Sequence, residues 1–142
     1  PKLKVGKGFL VQDGKDITLV ATGNMLYNAL VATKLLGEKG VSARLLSLYT
    51  VKPIDAEILL KAVSETRAIF TLEEHSVMGG LGSAVAETLL ESGRAPKLFY
   101  RFGIRDVITK NSGSQEYLRS IHGLLPGQIA KKIFEMLKRN KL

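Results

Sequence analysis

The chain has 142 residues, enough for one domain with a sizeable core, and it has no cysteine. That excludes a disulfide scaffold, thiolate nucleophiles and thiolate metal sites, and it is compatible with a reducing cytoplasm, the expected location. The balance of 21 lysines and arginines against 13 acids leaves a charge of +8, but the cations are spread along the chain, their clearest cluster falls where a helix ends, and nucleic-acid binding is not indicated.

No apolar run approaches the roughly 20 residues needed to cross a bilayer, so no membrane partner is expected. The basic start has no apolar segment of signal-peptide length after it, and a first residue other than methionine suggests a processed chain or a fragment. Residues 5–11, the Asp13-Gly14 pair and residues 17–22 read as an opening hairpin, because Asp-Gly favours a tight turn between extended runs. Gly23-Asn24 closes the second strand, with Asn24 as an N-cap. Leu26, Ala29, Leu30, Thr33 and Leu36 then mark one side of a helix that Gly37 and Gly40 end.

Residues 41–48 form the next apolar strand, and Lys52-Pro53 marks the turn after it. A helix starts at about Asp55, whose charge favours a helix start, and packs through Ile58, Leu59, Ala62 and Val63. Residues 67–72 return to the sheet, a helix follows over 82–90, and residues 97–102 give the last strand. Residues 103–113 read as a long connection and 115–120 as a short helix. Pro126 opens a final helix whose Ile129, Ile133 and Leu137 face the sheet, with Lys131, Lys132, Lys138, Arg139 and Lys141 toward its end. The alternation predicts an α/β fold: three layers, a mostly parallel five-stranded sheet with one antiparallel edge strand, and helices on both faces. Residues 1–13 read as an N-terminal tether and edge strand, and 14–142 as the domain.

The candidate site lies between the fourth strand and its helix, where Glu73, Glu74, His75, Gly79, Gly80, Gly82 and Ser83 fall near the turn. Ligands of open α/β sheets bind at such turns. The glycines supply close backbone approach and free amides for an anion. They match neither the dinucleotide spacing nor the phosphate-loop lysine, so they read as packing glycines. Adjacent carboxylates can divide an acid and a base role, but neighbours on a strand face opposite sides, so Glu73 and Glu74 are not read as a catalytic pair. Glu73 and His75 read instead as interface residues. Arg101, Arg105 and Asp106 follow the last strand at the same sheet end, where they can form salt bridges or bind a carboxylate or phosphate. Metal binding is poorly supported, with His122 far from His75.

The run Thr71-Leu-Glu-Glu-His-Ser-Val-Met-Gly-Gly-Leu-Gly-Ser-Ala-Val-Ala-Glu87 resembles the signature of the C-terminal domain of transketolase. Ile17-Thr-Leu-Val-Ala-Thr-Gly23, the Lys52-Pro-Ile-Asp55 turn, Gly103-Ile-Arg-Asp106 and Gly123-Leu-Leu-Pro126 resemble its other segments in the same order. The resemblance implies an assembly or dimerisation domain of an enzyme that moves a two-carbon ketol unit between sugar phosphates. It implies thiamine diphosphate and a divalent metal such as Mg, held by domains or a subunit outside this chain, with no catalytic, cofactor or metal residue here. Implied partners are the missing thiamine-binding domains or subunit and a second copy in a homodimer. Deoxyxylulose-phosphate synthase and the β subunits of 2-oxoacid dehydrogenases carry related domains. A stand-alone anion- or nucleotide-binding module using residues 79–83 and Arg101 is the rival from another class.

Overall fold

Side chains alternate along a strand, and that alternation divides the apolar residues of this chain between two cores on opposite faces of one sheet. The computed structural model describes residues 2–108 and 110–142; Pro1 of the expected tether and Thr109 of the expected connection lie outside them. Its elements are β1 (Phe9–Gln12), β2 (Ile17–Ala21), α1 (Met25–Gly37), β3 (Ala43–Ser47), α2 (Ala56–Glu65), β4 (Ala68–Ser76), α3 (Leu81–Glu91), β5 (Leu98–Ile104), α4 (Gln115–Ile121) and α5 (Pro126–Arg139). The strands form one five-stranded sheet in the order β1-β3-β2-β4-β5. All neighbours are parallel except β1, which runs antiparallel to β3 at the edge.

On one face Ile17, Leu19, Leu45, Phe70 and Leu72 meet Met25, Ala29 and Leu36 of α1 and Ile129, Ile133 and Leu137 of α5. On the other, Val20, Leu46 and Ile69 meet Leu59 and Ala62 of α2 and Leu81, Val85 and Leu89 of α3. The three-layer α/β architecture is therefore as the sequence predicts. Both layers are apolar toward the sheet, but their outer surfaces differ in charge. Helices α1 and α5 carry Lys34, Lys131, Lys132, Lys138 and Arg139 against Glu135 alone, whereas α2 and α3 carry Glu57, Glu65, Glu87 and Glu91 against Lys61 alone.

The opening hairpin is corrected. β1 pairs with β3 and not with β2, so residues 13–16 carry the chain across the end of β3. Gly14 permits that crossing: a Cβ there would collide with the backbone of Ala43 and Arg44. Arg44, almost fully buried, holds the crossing by ion pairs to Asp13 at 2.9 Å and Glu65 at 2.6 Å. The Gly14 amide, and then the Arg44 guanidinium, hold the Asp13 carboxyl below its ordinary range.

Two helix starts behave differently. Asp55 caps α2, accepting from Ile58 N at 3.3 Å, and the same carboxylate accepts from Gly8 N at 2.9 Å, which fixes the segment ahead of β1. Asn24, expected to cap α1, lies in helical backbone and makes no side-chain cap. The turn is made instead by Gly23 at φ +54°, with Met25 N donating to Thr22 O.

Gly14→Ala and Gly37→Ala should therefore change stability in opposite directions. The first inserts a methyl into backbone and should cost about 1–3 kcal/mol. The second meets nothing within 4 Å, lies in helical backbone and should add about 0.4–1 kcal/mol. Urea midpoints read both, and equal effects would refute the close approach at Gly14.

Candidate functional site

β4 continues past its buried core to Ser76, so Glu73, Glu74 and His75 stand on the strand itself rather than in the turn after it. Strand alternation then sends the two glutamates to opposite faces. Glu73 points into the α2–α3 layer and is 2% exposed. Its carboxylate accepts from Leu81 N at 2.7 Å and Gly82 N at 2.9 Å, the first amides of α3. A helix start leaves such amides without intrahelical partners and carries a positive dipole end, so a buried acid there is doubly favoured.

The glycines around Glu73 make room for it. A Cβ on Gly80 would overlap the Glu73 carboxylate, and one on Gly103 would lie 3.0 Å from Glu73 Cγ and 2.8 Å from His75 O. A Cβ on Gly82 would meet Thr71 Oγ1 at 2.7 Å and Arg101 Cδ at 2.6 Å. Thr71 Oγ1 is buried without a hydrogen-bond partner among the described residues, pressed beneath the Gly82 backbone. Only Gly79 is there for its own conformation, at φ +74°.

Arg101 and Ser83 lock the turn between β4 and α3. Arg101 Nη1 donates to Val77 O at 2.6 Å and to Ser83 Oγ at 3.0 Å; Ser83 Oγ in turn donates to Val77 O and accepts from Gly79 N. Met78 sits at the tip of this braced turn, 62% exposed. His75 is exposed, its Nδ1 3.1 Å from Ser76 O.

Glu74 reaches the other face. It accepts from Arg119 Nε at 3.0 Å, Arg119 Nη2 at 2.9 Å and Gln115 Nε2 at 3.0 Å, and so ties α4 to the sheet. Sequence reading missed Arg119; the one available signal was its place one helical turn after Gln115 on a short helix. The structure does not bring Arg105 and Asp106 to the acids. Arg105 folds back onto Arg101 O at 2.9 Å and over the Tyr100 ring at 4.8 Å, and Asp106 is exposed.

Glu73, Glu74, His75, Gly80 and Leu81 form one wall of an open cleft of about 440 Å³, with Thr22, Gly23, Asn24 and Val51 opposite. Among the described residues no group of three or more His, Asp or Glu is placed to hold a metal ion. The helix amides that would attract an anion already bind the chain's own carboxylate.

With this geometry in place, comparison with known proteins identifies the family. The family model for the transketolase C-terminal domain matches residues 6–129. A putative transketolase C-terminal section from Methanocaldococcus jannaschii is 42% identical over 136 residues, covering 96% of this chain and 42% of that protein. A 1-deoxy-D-xylulose-5-phosphate synthase from Thermosynechococcus vestitus is 36% identical over 133 residues, covering 94% of this chain and 20% of that protein. Among solved structures, a split gene transketolase described as an inactive beta4 tetramer superposes with a TM-score of 0.88 at 37% identity, covering 97% of this chain and 44% of that one. The chain belongs to the transketolase C-terminal domain family, and it spans less than half the length of these relatives.

Removing the Glu73 carboxylate should loosen the start of α3. Glu73→Ala leaves two buried amides without an acceptor and should lower the unfolding free energy by about 2–4 kcal/mol. Glu73→Gln keeps one accepting oxygen and should lose less. Urea denaturation followed by circular dichroism gives the order; equal stability of the wild type and the alanine variant would show that the carboxylate is not the cap.

Proposed function

We propose that this chain is the C-terminal assembly domain of a transketolase, an enzyme that transfers a two-carbon ketol unit between sugar phosphates in cytoplasmic pentose phosphate metabolism. Thiamine diphosphate and a divalent metal such as Mg would be held by the thiamine-binding domains or subunit that complete the enzyme. The observation that carries the reading is the extent of the match: nearly all of this chain aligns with under half of a transketolase section. The isolated domain is then inactive, and its partners are the thiamine-binding part and further copies of itself. The description of its 37% identical structural relative as a beta4 tetramer supports contacts between copies.

The residues of this chain do not fit a diphosphate or its metal. At the cleft the start of α3 gives its Leu81 and Gly82 amides to Glu73, whose carboxylate would repel a second anion there, and on the opposite wall the first amides of α1, Met25 N and Leu26 N, donate to Thr22 O and Gly23 O. The same geometry disfavours a stand-alone anion- or nucleotide-binding module. What the cleft end of the sheet offers instead is exposed apolar area on braced backbone. Met78 stands on the turn locked by Arg101 and Ser83, and Tyr27, 71% exposed, stands in the first turn of α1, which starts at the same end of the parallel sheet. Apolar groups rimmed by paired polar groups are the anatomy of a protein interface.

The reading is tested by mixing the chain with a thiamine-binding companion and following two-carbon transfer from a ketose phosphate to an aldose phosphate. No turnover is expected from the chain alone, and turnover is expected on mixing. Met78→Glu should weaken the complex at least about tenfold, which corresponds to roughly 1.4 kcal/mol. Absence of any complex by light scattering, or transfer by the chain alone, would overturn the assembly role.

A further inference from the structure

We infer that two copies of this chain meet through the rim beside α4, the exposed pair Val107 and Ile108 of each copy entering the apolar cavity beneath α4 of the other. The inference rests on the assembly role proposed above and names the surface that joins the copies.

The cavity is about 250 Å³, walled by Ile104, Leu118 and Leu124, with Glu74, Arg119 and His122 at its edge. It is smaller than the roughly 300–1,000 Å³ typical of small-molecule sites and its walls are apolar, so it suits one or two aliphatic side chains. Its roof, α4, has no buried residue of its own and is tied down through Glu74. α4 is tied as well to α5, whose Gln128 Nε2 donates to Ser120 O at 2.9 Å.

The matching groups lie a few residues away. Ile108 is 88% and Val107 58% exposed, on the segment that leaves β5 immediately after the cavity residue Ile104. Each copy thus presents a plug and a socket on one surface, which is the self-complementarity a twofold contact requires. Exposed apolar side chains of this size on a surface segment mark an interaction site.

Charge disfavours one alternative surface. The outer face of α1 and α5 is cationic and would repel its own copy across a twofold axis, whereas on α2 and α3 Glu57 and Glu65 are paired with Lys7 and Arg44, which leaves Glu87 and Glu91 against Lys61. At the α4 rim Glu74 is neutralised by Arg119, and the exposed cations Arg105 and Lys110 stand among the exposed acids Asp106 and Glu116, so the rim carries both signs.

The absence of cysteine makes the test direct. Single-cysteine chains Ile108→Cys and Leu118→Cys are mixed under mild oxidation, and the expected product is a disulfide-linked pair containing one of each, well in excess of either variant alone. Ile108→Glu should weaken self-association in sedimentation velocity at least about tenfold while leaving the circular dichroism spectrum unchanged, because the side chain is exposed. A wild-type chain that binds a thiamine-binding companion yet stays monomeric, or an Ile108→Glu chain that dimerises like wild type, overturns this surface and leaves the assembly role standing. Failure to bind either a companion or a second copy removes both.

Discussion

The Glu73 carboxylate, buried between β4 and the first amides of α3, is the interaction on which the geometry of this sheet end depends. A helix start inside a protein needs acceptors for its first N–H groups, and here no side chain within the turn provides them: Gly80 at the cap position has none. The acceptor comes from the preceding strand, eight and nine residues back in sequence. Each charge-assisted bond of this kind contributes roughly 1.5–3 kcal/mol, and leaving either amide bare inside the protein is costlier still. Strand and helix are therefore coupled at one carboxylate, and the glycines follow from it, since a side chain at position 80 or 103 would occupy the space the glutamate uses. The anion site that a glycine-rich helix start advertises is present, but the chain supplies its own anion.

Glu74, one residue on, points to the opposite face and does the opposite kind of work. Glu73 is sealed and fixes the turn that carries Met78; Glu74 is partly exposed and fastens a short helix that has no fully buried residue. Deep contacts resist rearrangement, because breaking them strands buried polar groups. The Glu74–Arg119 pair is two-pronged and only partly exposed, so it too holds its helix in one geometry. The same sheet end is thus braced on both faces, by Glu73 beside α3 and by Glu74 beside α4.

Much of this was legible in the sequence, because strand and helix periods dominate the burial. The five strands, the two-faced sheet, the helix start at Asp55, the α5 face and the opposite pointing of Glu73 and Glu74 all follow from local patterns. The hairpin did not, because Asp13-Gly14 satisfies the local grammar of a tight turn, whereas its glycine answers to β3, some 30 residues away, through a close backbone approach that no local pattern encodes. Asn24 failed similarly: a good capping residue is unused when the entering turn places its own backbone in helical geometry. Arg119 was missed because its partner lies 45 residues back in sequence, and one arginine on a short helix looks like any solvated cation. Arg101 drew attention as a partner for the acids, yet a carbonyl and a hydroxyl in the turn took it instead.

The layering of charge bears on what such a domain can join. A layer as cationic as that of α1 and α5 is poorly suited to twofold contact, since it would face its own sign. The two strand edges are also constrained: β1 is short and irregular in register, and at β5 the Arg105 guanidinium occupies the Arg101 carbonyl. The surface proposed for contact between copies lies instead at the ends of the strands, where Val107 and Ile108 stand exposed. In a parallel sheet all carboxyl ends gather on one side, so the place where many α/β folds assemble a ligand site is here available, with its helix amides already satisfied, for joining protein to protein.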